Sequence, residues 1–127
     1  MPEAAQIRKA VETYVQSFNT KDKHAFLSVF AEGVQQIDPV GSKPNVGKHK
    51  LAAFWDTLFS QVEKIDFRVT DLFITGDEAA LLFHITQSKK DGDVVVDGVD
   101  VFQVNDAGHI TLIKGYSDAN HVRSNSH

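Results

Sequence analysis

Two hydrophobic rhythms divide the chain. Up to Gln61 apolar residues return every three or four positions, and beyond it they alternate. Ile7, Val11, Tyr14, Val15 and Phe18 form one stripe at helical steps, which predicts an amphipathic first helix. Asn19-Thr20-Lys21-Asp22 interrupts it. Thr20 or Asp22 is suited to cap the next helix, because a short polar side chain accepts from the free N–H groups of a first turn. Ala25, Phe26, Val29 and Phe30 give that second, short helix, and Val34 to Ile37 has extended character. Asp38-Pro39-Val40-Gly41-Ser42-Lys43-Pro44 reads as a turn-rich loop. After Gly47, residues Leu51, Phe54, Trp55 and Leu58 share one side of a third helix.

Ile65, Phe67, Val69, Asp71 and Phe73 then alternate with Asp66, Arg68, Thr70, Leu72 and Ile74, the period of a strand. Gly76-Asp77 turns the chain into a second strand, Ala79 to Gln87. Lys89-Lys90-Asp91-Gly92-Asp93 carries the Asp-Gly signal of a hairpin. Val94 to Val104 is the third long strand, and after the turn Asn105-Asp106-Ala107-Gly108 the last runs from His109 to Tyr116. Ser117 to His127 is polar and is expected to fray. Helices first and a meander of strands afterwards predict an α+β fold. The natural packing is a cone-shaped, curved antiparallel sheet wrapped around the N-terminal helices. Such a cone leaves a pocket between its concave face and the helices. With 127 residues, a single domain over 1–127 is expected, its core at about 7–116.

Composition narrows the function. At 42% hydrophobic the chain has enough for a real core. Its 13 Lys and Arg against 17 Asp and Glu give a net charge of −4, which supports neither nucleic acid nor an anionic membrane as partner. No apolar run is long enough to span a bilayer, and the first residues show no secretory pattern. The absence of cysteine removes disulfides and thiolate nucleophiles and is compatible with a cytoplasmic protein. Six His, at 24, 49, 84, 109, 121 and 127, show no metal-ligand spacing, so no metal is expected. Phosphate-loop, dinucleotide and nucleophile-elbow motifs are missing too. Nine Phe against two Tyr and one Trp describe a greasy interior with few polar aromatic handles.

Against that background Asp100 stands out. Read at period two, it shares a strand face with Val94, Val96, Gly98, Phe102 and Val104. An ionised carboxylate buried without a partner is costly, so such a group goes neutral and becomes a hydrogen-bond donor. A salt bridge or a strand end is the ordinary alternative. Tyr14, on the buried stripe of the first helix, needs a partner for its hydroxyl, and a backbone carbonyl is the common solution. Asp38, between Ile37 and Pro39, has the position of a turn-initiating Asp. Together the three fit one task. Proton abstraction beside a ketone needs a base and donors aimed at the developing enolate oxygen. Asp38 suits the base, and Tyr14 and a protonated Asp100 suit the donors.

The segments Tyr14-Val15-Gln16-Ser17-Phe18-Asn19, Asp38-Pro39-Val40-Gly41-Ser42-Lys43-Pro44 and Val99-Asp100-Val101-Phe102 resemble ketosteroid isomerase. That family lies within a superfamily of cone-shaped folds that includes nuclear transport factor two and the SnoaL-like cyclases. The likeness runs from about Ile7 to Tyr116. That family sets a base Asp facing a Tyr and a protonated Asp, so the trio is carried by the resemblance. Strand periodicity independently supports only Asp100. The resemblance implies that Asp38 moves a proton between two carbons while Tyr14 and Asp100 hold a dienolate oxygen. It also implies a small hydrophobic, steroid-like ketone as substrate, no cofactor and a homodimer. Phe18, Val40, Phe54, Trp55, Phe83 and Phe102 would line the substrate site. Two positions depart from the family. Relatives carry a tyrosine near Trp55, and some carry one at Phe30; neither residue here can accept a hydrogen bond.

Two other functions stay open. Relatives of such folds cyclise, dehydrate or hydrolyse other small hydrophobic substrates, and the same cone can bind an apolar ligand without catalysis. Epoxide opening usually calls on an Arg between two carboxylates, and Arg68, the one strand Arg before the tail, has polar face-mates. Lys114, sharing a face with Ile110 and Leu112, and Gln87, following Phe83 and Ile85, are expected to end in solvent. Val95, Val99 and Val101 are expected to give the outer sheet face an apolar patch that favours self-association.

Overall fold

The stripe in the first segment becomes α1, Ala4–Thr20. Ile7, Val11, Tyr14, Val15 and Phe18 are buried, joined by Ala10 and Ser17. Glu3 and Gln6 exchange side-chain and backbone hydrogen bonds in a capping box. The helix ends at Lys21, whose left-handed backbone returns its N–H to the last carbonyls. Asp22 caps α2, Lys23–Ser28, accepting from the Ala25 N–H at 3.0 Å. The computed structural model describes residues 1–126, so His127 lies outside the described residues.

Val29 closes α2, and Phe30 opens β1, Phe30–Ile37. β2, Asn45–Val46, pairs with β1 across the loop, and α3, Lys48–Gln61, comes next. The long strands are β3, Lys64–Thr75; β4, Glu78–Lys89; β5, Gly92–Val104; and β6, Ile110–Tyr116. The sheet runs β2-β1-β6-β5-β4-β3, with a further strand, β7, Val122–Ser126, on β5. It is curved, unclosed and mixed rather than wholly antiparallel, because β1 lies parallel to β6. The helices pack on its inner face around Phe26, Phe30 and Phe102, each fully buried. Burying such a side chain contributes about 1.5–3 kcal/mol.

The expected frayed tail takes regular structure as far as Ser126, and only His127 lies outside the described residues. Ala119–His121 makes one turn of 3-10 helix, and β7 pairs Val122 with Val96 and Ser126 with Gly92. Along β5, β6 pairs only with Val99–Val104. The first half of β5 would therefore keep an edge of unpaired backbone groups, and a polar strand satisfies them as well as an apolar one.

Two bulges overturn simple alternation. In β3 the register shifts between Val69 and Asp71. Ile65 and Phe67 are buried before it, whereas Leu72 and Ile74 pack inward after it and Phe73 is left 55% exposed on the outer face. In β6, Gln103 faces Leu112 while Val104 faces Ile110, so Thr111 is the extra residue. The buried members are Ile110, Ile113 and Gly115, and Lys114 shares a face with Leu112 but not with Ile110. Of the expected outer patch, Val95 is buried, whereas Val99 and Val101 are half-buried.

Candidate functional site

α1, α3 and the inner faces of β3, β4 and β5 enclose a cavity of about 260 Å³. Tyr14, Asp38 and Asp100 all line it, so residues far apart in the chain meet at one place. Phe18, Phe54 and Phe83 line it too. Leu58, Ile65, Phe67, Ile85 and Gln87 complete it and were not among the sequence candidates. Their signals were present: Leu58 lies four residues beyond Phe54 on a helix, and Ile85 and Gln87 continue Phe83 at period two. Gln87 thus faces the cavity rather than ending in solvent.

Three expected lining residues stand elsewhere. Phe102 is fully buried behind Tyr14, their ring centroids 5.1 Å apart. Trp55 is buried against Phe18, Phe26 and Phe59. Val40 is 47% exposed and borders a separate hollow of about 470 Å³, with Leu82, Asp97, Val99, Tyr116 and His121. The cause is local. Val40 lies past the turn at Pro39, and its N–H is held by the Gly115 carbonyl at 2.8 Å, which directs it away from the cavity.

The same bond anchors the loop that carries Asp38. β1 ends with Ile37 opposite Lys114, and Gly115 in turn lies opposite Asp100. Asp38, Gly115 and Asp100 therefore succeed one another across three strands. A Cβ on Gly115 would fall within the Asp38 carboxyl group. The missing side chain makes room for that carboxyl, a use of strand glycine that sequence reading can suspect. Gly98 does similar work, because its Cβ would meet the Tyr116 carbonyl oxygen at 2.6 Å and the Phe83 ring at 2.7 Å.

Charge in the cavity is one-sided. Its lining includes two carboxyls and a phenol and, among the described residues, no Lys, Arg or His. Asp100 is 4% exposed; burial first, and then the charge of Asp38, raises its pKa well above the usual carboxylate range. Tyr14 is 3% exposed and is raised well above an ordinary phenol by burial, then Asp100, then Asp38. Asp38 opens to solvent at the cavity mouth, yet protein crowds its carboxyl and desolvation raises its pKa as well. Among the described residues no hydrogen bond engages the Tyr14 hydroxyl or the two carboxyls. Phe30 and Trp55 give Tyr14 and its neighbours apolar packing only. The arrangement sets a phenol and two carboxyls around a shared space, each with its pKa raised by burial.

Other candidates lie outside. His84 is half-buried, with Nδ1 2.6 Å from Asp97, which also meets Arg123. Arg68 is exposed and pairs with Asp66 at 3.1 Å. Among the described residues no cluster of three His, Asp or Glu is placed to hold a metal. None of the described helices is long and apolar enough to cross a membrane.

The SnoaL-like domain model matches residues 11–113. The chain belongs to the SnoaL-like family. Solved structures that share its fold carry several chemistries of their own. RV0760c from Mycobacterium tuberculosis is 22% identical with a TM-score of 0.88, covering 98% of this chain and 100% of its own; it has also been solved with estradiol-17beta-hemisuccinate. Delta 5-3-ketosteroid isomerase from Mycobacterium sp. is 22% identical with a TM-score of 0.86, covering 94% and 98%. An LEH-like epoxide hydrolase from M. tuberculosis is 19% identical with a TM-score of 0.83, covering 94% and 88%. At these identities the likeness establishes the SnoaL-like fold.

Proposed function

We propose that the chain is an isomerase of the ketosteroid type, moving a carbon–carbon double bond into conjugation with a ketone. The observation that carries this is Asp100, a buried carboxyl facing one cavity with Tyr14 and Asp38 and, among the described residues, with no cation in that cavity's lining. Its neutral form donates a hydrogen bond where an ionised one could not.

In the proposed reaction the Asp38 carboxylate takes a proton from the carbon between the ketone and the double bond. Electrons pass to the ketone oxygen, which becomes a dienolate oxygen held by Tyr14 and Asp100. Asp38 then returns the proton two carbons along. The raised pKa of Asp38 suits it to this work, since a base is most effective when its pKa lies near the operating pH. The site's total charge is constant throughout. Negative charge leaves Asp38 as it develops on the oxygen, so the donors meet new charge as the old charge disappears. Apolar walls exclude water and strengthen both interactions.

An epoxide hydrolase reading finds less support, because the Arg it usually needs is missing from the cavity lining and Arg68 is occupied on the outer surface. A purely binding role has no use for an unpaired carboxyl in an apolar wall. We also propose a homodimer. Exposed Phe73 and Tyr116, with half-buried Leu82 and Val99, offer the outer sheet face to a second copy.

The test monitors enone absorbance growing from a β,γ-unsaturated 3-ketosteroid, with wild type and Asp38→Asn side by side. Wild type should turn over, and the variant should lose about 10²–10⁴-fold in kcat while still binding steroid. Undiminished turnover in Asp38→Asn would remove the assignment.

A further inference from the structure

Gln87 has no part in the proposed proton transfer, yet it lines the cavity with the three groups that do. It is the one uncharged amide there, set between Phe54, Leu58, Ile65 and Ile85. Among the described residues no hydrogen bond engages that amide, whose backbone lies in β4 between Ile65 of β3 and Val94 of β5.

Its place along the wall is fixed by register. Leu81 is paired with Asp100 and Phe83 with Gly98, and Ile85 and Gln87 continue the same face. Gln87 is thus six positions along β4 from the residue opposite Asp100, about 20 Å of strand at ~3.3 Å per residue before curvature shortens it. Tyr14, Phe67 and Asp100 are buried, while Phe54, Leu58, Ile85 and Gln87 are half-buried. A long ligand with its ketone against Tyr14 and Asp100 reaches Gln87 with its opposite end. An amide there both donates and accepts. A hydrocarbon end would displace the amide's water and give nothing back, whereas a hydroxyl or carbonyl would restore the bond.

We propose that Gln87 is a specificity-determining residue that recognises a hydroxyl or carbonyl oxygen at the substrate end remote from the reacting ketone. This deepens the isomerase assignment and rests on it. The substrate class becomes a long, flat, apolar ketone with a second oxygen function at its far end.

Two phenolic probes test it without turnover. Estradiol carries a phenol for the donor end and a hydroxyl at the far end, and 17-deoxyestradiol lacks only that hydroxyl. Both are titrated calorimetrically into wild type and Gln87→Met, which keeps length and removes the amide. A thermal melt confirms that the variant is folded, and Gln87→Leu serves if it is not. Wild type should bind estradiol roughly 10-fold more tightly than 17-deoxyestradiol, one hydrogen bond's worth. Gln87→Met should bring the two within about 2-fold, by weakening estradiol alone. A preference that persists in the variant, or an equal loss on both probes, overturns the role of Gln87 and leaves the isomerase assignment standing. Failure of wild type to bind either probe overturns the steroid-type reading, and the inference falls with it.

Discussion

At Gly115 the sheet leaves out the one atom that would displace the Asp38 carboxyl. Neighbouring strand positions offer no such gap, since Lys114 and Tyr116 carry long side chains. Gly115→Ala should therefore fold, bind steroid with nearly unchanged KM, and lose about 100-fold in kcat, the scale at which a displacement near 1 Å acts on a reacting group. Steady-state kinetics with the enone assay check this, and a full wild-type kcat would show that Gly115 does not position the base. The three reactive candidates were legible at this scale. Asp100 was marked by strand period, and Tyr14 and Asp38 by resemblance to a motif. Gly115 was not singled out, because the sequence of β6 does not say which strand will bring a carboxyl against it.

Element boundaries arise from patterns the chain carries openly, and element faces less so. Stripe spacing located α1 and α3, and alternation located β3 to β6. The bulges at Thr70 and Thr111 left no local trace, since an extra residue in one strand is defined by its partner. Hence Phe73 was expected beside Phe67 and lies on the opposite face. β7 was hidden for a related reason, because a polar segment pairs when a long neighbour has backbone to spare. The exposed edge strand β3 also has a side-chain partner. Asn19, at the end of α1, donates to the Phe67 carbonyl at 3.1 Å and accepts the Phe67 N–H at 2.7 Å. Both bonds pin the helix to the strand just before its bulge. Asn19→Ala should lower unfolding stability by about 1–3 kcal/mol, each bond contributing near 1 kcal/mol and the freed backbone adding to it. Urea unfolding measures this, and a change below about 0.3 kcal/mol would mean that water replaces the amide without loss.

For the whole molecule the burial of Asp100 is a stability term with a definite sign. Its pKa is higher folded than unfolded, so the native state holds the proton more firmly. Stability from this group is full below the ordinary Asp pKa of ~3.9 and falls as pH rises toward the folded value. Each unit by which the folded pKa is raised corresponds to about 1.4 kcal/mol lost over that window. Asp97 and Asp118, lowered chiefly by hydrogen bonds to His84 and His121, act with opposite sign and lose their contribution as pH falls. Asp100→Asn keeps the shape and removes the proton, so its stability should decline less than wild type's between pH 4 and neutrality. Chemical unfolding across pH compares the two, and parallel curves would mean that Asp100 ionises without strain.

The charge state of the cavity is what the proposed chemistry depends on, and carbon-13 NMR of labelled aspartate side chains reads it directly. With Asp100 assigned through Asp100→Asn and Asp38 through Asp38→Asn, a pH titration should show Asp38 raised modestly. Asp100 should remain protonated at a pH where the exposed aspartates are fully ionised. An Asp100 midpoint in the ordinary range near ~4 would contradict the proposed mechanism. The cavity would then hold two carboxylates, with no neutral acid to receive an enolate.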